Sequence, residues 1–300
     1  MSSPIATAAD FQAARARWNE LVEVGELEQA LDLVEAATPW AEASGDPALC
    51  DVVFCNRASI ALHVREGEDF VSKLREILMR TGDVDTAFLA ANTIARHYEL
   101  RKDAKKGLFY SQIARDYALQ LGPLRQASSW NRCGNLFAME SRFQEAADAY
   151  ERAEALMPGS EEVKASIVGY NLGYCLVLLG RFSEGLRRIY SSVRVLRRRR
   201  VDLHEMKARL DLAFALLEAS RPDRARRHAE VALNLASRLN ETDARKNAFY
   251  LLGASAQARG DRAAARREFV RLQRDFYPDS EYLPDLLLQV DLRQLINLKA

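Results

Sequence analysis

The chain has 300 residues, of which 48% are hydrophobic and 28% charged, and its formal net charge is +1. This composition excludes a disordered or fibrous protein, and the near-zero charge argues against a protein that binds nucleic acid through overall basicity. Because a single hydrophobic core seldom grows to this length, the chain either divides into domains or extends by repetition.

The first part of the chain contains three predicted helical hairpins, at roughly 11–45, 48–82 and 84–122. Turn signals separate them at Gly45-Asp46, Gly82-Asp83 and Gly122-Pro123. Small residues recur at equivalent positions inside the hairpins, 37 to 40 residues apart. Small residues let antiparallel helices approach closely, and a fixed spacing of this length is typical of helical repeat proteins.

The fourth hairpin, at 127–160, sets the register of the repeat. Gly134 and Ala146 are small where two antiparallel helices would meet, and Phe137, Phe143 and Tyr150 fill the space around that contact. Together with Trp130, Cys133, Ala153 and Pro158, these residues stand where the tetratricopeptide repeat places its characteristic bulky, small and proline residues. The stretch therefore closely resembles a tetratricopeptide repeat, and the resemblance implies a right-handed α-solenoid of stacked hairpins.

Three further hairpins follow at 162–200, 203–240 and 243–277, and an apolar segment at 281–300 comes after them. The sequence thus predicts an all-α, right-handed α-solenoid of about seven tetratricopeptide-like hairpins in one domain, 1–300. Because terminal repeats would expose apolar faces, we predict that 281–300 forms a C-terminal capping helix. The alternatives are a self-association element or a segment that folds into the solenoid groove.

No motif typical of catalysis or cofactor binding occurs in the sequence. There is no GxxxxGK, GxGxxG, HExxH or GxSxG pattern, and none of the four histidines has a second histidine or cysteine ligand at helical spacing. We therefore expect no enzyme activity, no cofactor and no metal site. The chain lacks CxxC spacing, an initial signal peptide and an apolar stretch of membrane-spanning length, so we expect reduced thiols and a cytoplasmic protein without membrane contact. Its 35 arginines against 8 lysines indicate a bacterial gene.

Asparagines recur in the first helices of the hairpins, although a mid-helix asparagine costs about 0.5 kcal/mol relative to alanine. An amide side chain can donate and accept hydrogen bonds along an extended peptide backbone, which predicts a binding face on the concave side. The alternative is that the amides support the inter-helix loop or a neighbouring helix. With the aromatic and basic residues beside them, the predicted peptide-binding or partner-binding residues are Asn56, Asn92, Arg96, Asn131, Asn135, Tyr170, Asn171, Tyr174, Lys207, Phe214, Asn247 and Tyr250.

A basic cluster ends the second helix of hairpin five, on the predicted convex face. It consists of Arg194, Arg197, Arg198, Arg199 and Arg200. Arginine is favoured near a helix C-terminus by the helix dipole, so the cluster is either a solvated face or a site for an acidic protein partner. Nucleic acid is the weaker alternative, because no aromatic residues that could stack on bases are interleaved.

The leading function hypothesis is a non-enzymatic scaffold or adaptor that binds an extended segment of a protein or peptide on its concave face. The alternative is a signalling regulator similar to the peptide-sensing tetratricopeptide proteins of bacteria, which would act through a partner protein. A further alternative is a self-assembling subunit. Residues 1–60 carry ten acids against three basic residues, and 181–275 carry 23 basic residues against twelve acids, so end-to-end contacts or the C-terminal helix could join copies.

Overall fold

The computed structural model describes residues 5–64, 69–293 and 296–300, with the backbone alone at Glu23. These residues form fifteen α-helices and no strand. The helices are α1 (Ala8–Val24), α2 (Leu27–Ala43), α3 (Pro47–Val64), α4 (Val71–Arg80), α5 (Val84–Leu100), α6 (Ala104–Ala118), α7 (Pro123–Met139), α8 (Phe143–Leu156), α9 (Glu162–Leu178), α10 (Phe182–Arg198), α11 (Asp202–Glu218), α12 (Pro222–Arg238), α13 (Thr242–Ala258), α14 (Arg262–Phe276) and α15 (Leu283–Gln289).

The first fourteen helices follow one another as seven consecutive pairs at the positions of the predicted hairpins. The predicted fold class, an all-α repeat solenoid, is therefore confirmed.

Several helices begin next to a side chain that caps the free backbone N–H groups of the first turn. Thr7 accepts from the backbone N–H of Asp10 while the Asp10 carboxylate accepts from that of Thr7, and the Asp83 carboxylate accepts from the backbone N–H of Thr86 at 2.7 Å.

The predicted C-terminal helix at 281–300 is wrong in its length. The helix spans only Leu283–Gln289, and Val290 has extended backbone angles, φ −120° and ψ 128°. Apolar side chains surround the whole predicted helix instead of forming one stripe, so a helix could not bury them all on one neighbour. Beyond Gln289, irregular backbone lets Leu292, Ile296 and Leu298 pack individually against the hydrophobic core.

The small residues of the repeat lie at the helix contacts, as the sequence predicts. In the α9–α10 pair, a Cβ atom on Gly173 would stand 2.9 Å from the carbonyl oxygen of Gly185 and 2.6 Å from Cγ1 of Ile189. A Cβ on Gly185 would in turn stand 2.5 Å from the carbonyl oxygen of Gly173. Such distances are far below van der Waals contact, so only glycine at both positions allows this approach.

The turns inside the hairpins use left-handed backbone. Gly25, Gly180 and Gly260 end α1, α9 and α13 with φ of 90°, 81° and 80°. The corresponding turns without glycine place Lys102, Ser141 and Ser220 at φ of 60°, 60° and 55°. A helix that ends on a left-handed residue satisfies its last carbonyl groups and reverses the chain in few residues, so the same turn recurs with or without glycine.

The chain forms two compact units. Unit 1 consists of Met1–Glu140 with Ala155–Pro158, and unit 2 of Ser141–Glu154 with Gly159–Ala300. Each has its own buried aromatic residues, Trp18 and Phe88 in unit 1 and Tyr174, Phe214 and Phe269 in unit 2. That the two units act as one domain stays a prediction.

Two further sequence-based expectations concern the cysteines and the membrane. Cys50, Cys55, Cys133 and Cys175 are free thiols, and burial raises the pKa of Cys55 and of Cys175 to about 12. Among the helices of the described residues, none is both long enough and apolar enough to span a bilayer.

Candidate peptide-binding surface

Three first helices of unit 2 lie side by side, because α11 packs against both α9 and α13. They form one surface, which we call the α9–α11–α13 surface, and its residues are Tyr170, Asn171, Tyr174, Asp211, Phe214 and Tyr250. The ring of Tyr174 stands 5.6 Å from that of Phe214, so the centre of this surface is aromatic. Asp211 is the acidic residue of this surface.

The predicted binding residues of this surface are brought together, but they are not an open face. Tyr170, Asn171, Tyr174, Phe214 and Tyr250 are all buried. The cover is the chain's own 290–300 segment, of which the structure describes 290–293 and 296–300. This corrects the expectation of an exposed concave site, and the physical reason is the burial of apolar side chains of the segment against the core that contains Tyr170 and Tyr174.

Lys299 places its ammonium group inside a polar and aromatic pocket. Its Nζ donates to Oδ2 of Asp211 at 2.5 Å and to Oδ1 of Asn171 at 3.1 Å. The same nitrogen stands 5.1 Å and 5.0 Å from the ring centroids of Tyr170 and Tyr174. A carboxylate, an amide oxygen and two ring faces around one nitrogen form a site suited to a desolvated ammonium ion.

The Asp211–Lys299 pair is shielded from water, with side-chain exposures of 3% for the aspartate and 17% for the lysine. Burial raises the pKa of the Asp211 carboxyl above its ordinary value, while the ammonium of Lys299 and, more weakly, that of Lys207 lower it. A buried carboxylate is tolerated when a close cation and hydrogen bonds compensate its lost hydration. Lys299 supplies both the cation and a hydrogen bond to Asp211.

The Tyr174 hydroxyl binds the backbone of the 290–300 segment. It accepts from the backbone N–H of Leu298 at 3.0 Å and donates to Oδ1 of Asn297 at 3.3 Å. Nδ2 of Asn297 in turn donates to Oγ of Ser141 at 3.1 Å. A hydrogen bond to a backbone N–H is available to any residue except proline, so this contact recognises the backbone and not one particular side chain.

Further contacts hold the start of the segment and the end of α15 before it. Nη1 of Arg293 donates to the carbonyl oxygen of Leu217 at 3.2 Å and lies 3.6 Å from the carboxylate of Glu218. Nε2 of Gln257 on α13 donates to the carbonyl oxygen of Leu288 at 3.4 Å. The surface thus binds the chain at several points along its length.

In unit 1, the predicted residues Arg96 and Asn135 meet at Glu99. Nη1 of Arg96 donates to Glu99 at 2.6 Å and Nδ2 of Asn135 at 3.1 Å, and Arg132 forms a third contact to the same carboxylate. All four are at least partly buried. Because Glu99 on α5 accepts hydrogen bonds from Arg132 and Asn135 on α7, this network stabilises the packing of α5 against α7.

The remaining asparagines do not form one continuous ladder. Nδ2 of Asn56 donates to the carbonyl oxygen of Val52 in its own helix at 2.7 Å. The Oδ1 atoms of Asn92 and Asn131 are buried and have no hydrogen-bond partner among the described residues. Asn247 is half-buried on α13. Asn171 accepts from Lys299 of the 290–300 segment.

The predicted arginine face is exposed at all five positions. Arg198 and Arg199 both bind the carboxylate of Glu162 at the start of α9, Arg199 through Nε at 2.9 Å. These two arginines therefore hold α10 to α9. Arg194, Arg197 and Arg200 stay a predicted site for an acidic partner.

Asp211 and Lys299 lie on this surface but are not among the residues predicted from the sequence. Asp211 carries a recognisable signal, because it follows Asn171 by 40 residues and Asn171 follows Asn131 by 40. It therefore occupies the asparagine position of the sixth hairpin with an acid in place of an amide. Lys299 has no comparable signal, since its position on the surface depends on how the chain turns after α15.

The sequence matches no known protein-family model and no curated protein. Solved structures do resemble it. BtubC (BKLC) from P. vanneervenii is 18% identical with a TM-score of 0.56, over 76% of this chain and 93% of that one. A Rap protein complexed with Competence and Sporulation Factor is 14% identical with a TM-score of 0.56, over 98% of both chains.

A third similar structure is the Rap conjugation gene regulator of the plasmid pLS20 in complex with a Phr peptide. It is 12% identical, with a TM-score of 0.57 over 92% of this chain and 77% of that one. Identities this low establish the fold and nothing finer. In its fold, the chain is therefore a tetratricopeptide-type helical-repeat protein.

Proposed function

We propose that the protein is a non-enzymatic, cytoplasmic adaptor that binds an extended segment of a protein or peptide on the α9–α11–α13 surface. The observation that carries this proposal is that the surface holds non-helical chain already, in the form of residues 290–293 and 296–300. Backbone and side-chain contacts of the same kinds could hold a segment of another protein.

Two observations support the proposal. The Rap conjugation gene regulator, which has a related fold, is described in complex with a peptide. The free thiols fit a reducing compartment such as the cytoplasm.

The test supplies the segment as a separate molecule. The chain is shortened after Gln289, its helix content is compared with that of the full chain by circular dichroism, and a fluorescein-labelled peptide of residues 288–300 is titrated in. We expect saturable binding by fluorescence anisotropy, weakened about tenfold by Tyr174→Phe, which removes the hydroxyl that binds backbone N–H. Lys246→Met, a change outside the surface, serves as the matched control. A folded shortened chain that does not bind the peptide would contradict the proposal.

A further inference from the structure

Asp211 stands alone as an acid in an apolar part of α11. Its neighbours Leu210, Leu212, Ala213 and Phe214 are all buried, and Asp211 is itself 2% exposed. A helix that only supported a permanent cap would be at least as stable with an apolar residue here, because exchanging a buried ion pair for apolar side chains of similar volume is often neutral or stabilising. The acid therefore points to a requirement for a cation brought by whatever covers the surface.

The pocket around Asp211 holds the ammonium group of Lys299. The Nζ of Lys299 makes hydrogen bonds to two oxygens, those of Asp211 and Asn171, while two tyrosine rings close the sides. An ammonium ion is compact and directs its three protons tetrahedrally, whereas a guanidinium is planar and broad. The site as observed holds a lysine ammonium group bound to two oxygens.

The 290–300 segment can leave without unfolding a helix. Helix α15 ends at Gln289, and beyond it the described residues are held by separate contacts, chiefly Lys299 to Asp211, Leu298 to Tyr174 and Arg293 to Leu217. Irregular segments open more readily than helices, although release of this segment also withdraws Leu292, Ile296 and Leu298 from the hydrophobic core. These three contacts use a lysine, a backbone N–H and an arginine, all of which a segment of another protein can also provide.

We propose that the α9–α11–α13 surface recognises an extended partner segment that carries a lysine, and that the 290–300 segment is an internal competitor that must leave before this partner binds. The inference rests on the proposed function and adds to it the chemical class of the ligand and a means of regulation. A tethered competitor has a high effective concentration at its own site, so it suppresses weak ligands and admits those that bind more tightly.

The test of competition uses the full chain and the labelled 288–300 peptide as probe. Lys299→Met in the full chain keeps side-chain length but removes the ammonium, which weakens the internal competitor. We expect this variant to bind the probe about tenfold more tightly than the unchanged chain does. Lys246→Met is the control, because Lys246 forms its ion pair with Asp243 on α13, at 3.0 Å. It should leave the affinity unchanged.

The test of lysine recognition changes the probe. Three probes carry arginine, methionine or acetyl-lysine in place of the lysine, and each is titrated into the Lys299→Met chain. We expect affinities at least about tenfold lower for the two uncharged probes and a smaller loss for arginine. In the chain with both Lys299→Met and Asp211→Asn, the preference for lysine over methionine should nearly disappear.

Each result bears on one part of the inference. Equal affinity of the unchanged and Lys299→Met chains would overturn the internal competition, and equal affinity for the lysine and methionine probes would overturn lysine recognition. Either result could occur while the shortened chain still bound the 288–300 peptide, in which case the proposed function would stand. If the probe bound neither the Lys299→Met chain nor the shortened chain, both the inference and the proposed function would be wrong.

Discussion

Asp211 and Lys299 are the residues on which the proposed surface depends most. They are 88 residues apart in sequence, and their side chains meet at 2.5 Å. A buried ion pair of this kind adds little net stability as a whole, yet removing one partner is costly because the other is left uncompensated. The cost here is limited, since release of the 290–300 segment lets water reach Asp211.

We expect the two residues to be energetically coupled. Lys299→Met and Asp211→Asn should each lower the free energy of unfolding by about 1–3 kcal/mol. The double variant should lose less than the sum of the single losses by at least about 0.5 kcal/mol, because the second change removes no further interaction. Urea denaturation followed by circular dichroism measures all four proteins. Strict additivity would show that the pair is not formed in solution.

His228 has an unusually low pKa. Burial, together with Arg209 and Arg227, lowers the pKa of His228 to about 4. The folded pKa lies below the unfolded value of about 6.5. The folded protein therefore binds fewer protons, and the contribution to stability is complete above pH 6.5 and declines as the pH falls towards 4.

The corresponding experiment compares the unchanged chain with His228→Gln. Nη1 of Arg209 lies 3.1 Å from Nδ1 of His228, and glutamine keeps an acceptor without a proton to bind in this pH range. Between pH 6.5 and pH 5 the unchanged chain should lose about 1 kcal/mol more stability than the variant, a value reduced for partial exposure. Urea midpoints at the two pH values test this. Equal losses would mean that His228 titrates normally in the folded protein.

Sequence reasoning identified part of this surface. Tyr170, Asn171 and Tyr174 were recognised because their residue types recur at the phase of the repeat and are common in binding sites. Asp211 could have been found in the same way, because it lies 40 residues after Asn171, at the equivalent position of the next hairpin. Lys299 could not be predicted, since its role depends on a tertiary contact with residues far away in sequence.

At the scale of the element, the close contact between α9 and α10 depends on glycine. We expect Gly173→Ala to lower the free energy of unfolding by about 1–3 kcal/mol, because the added Cβ would overlap Ile189 and the Gly185 carbonyl oxygen. Gly159→Ala is the matched control, since a Cβ there would meet nothing within 4 Å. Thermal denaturation compares the two. A Gly173→Ala chain as stable as the control would show that the helices can move apart at no cost.

The left-handed turns allow the opposite kind of change. Ser220 has φ of 55° between α11 and α12. Glycine adopts this conformation without the strain of a side chain, so Ser220→Gly should stabilise the chain by about 0.5–1 kcal/mol. Gly180→Ser places a side chain at φ of 81° and should destabilise by a similar amount. Calorimetry measures both, and a fall in melting temperature for Ser220→Gly would contradict this view of the turn.

Helix pairing followed from the sequence because spacing, small residues and turn signals all repeat. The turns at Lys102 and Ser220 carry no glycine, so the sequence marked them only by their position between helices. The end of α15 was mispredicted for a different reason. A segment that is apolar on every side is compatible with a buried helix and with an irregular chain that packs residue by residue, and composition alone does not separate the two.

At the scale of the whole molecule, the protein combines a periodic framework with one irregular segment. The described residues form two compact units, and the proposed surface lies entirely in unit 2. Self-association through the C-terminal helix stays a prediction. In this helix Leu286 is 38% exposed, whereas Leu287 is buried. Light scattering on Leu286→Glu tests it. The repeat forms the surface, and the described residues after α15 cover it.

The most direct test of the central claim is a crystal structure of the chain shortened after Gln289, grown with the 288–300 peptide. We predict the peptide on the α9–α11–α13 surface, its lysine Nζ within hydrogen-bond distance of Asp211 and Asn171, and the preceding backbone N–H donating to the Tyr174 hydroxyl. A peptide bound to the arginine face, to unit 1 or nowhere on the folded chain would contradict the claim that this surface binds extended segments.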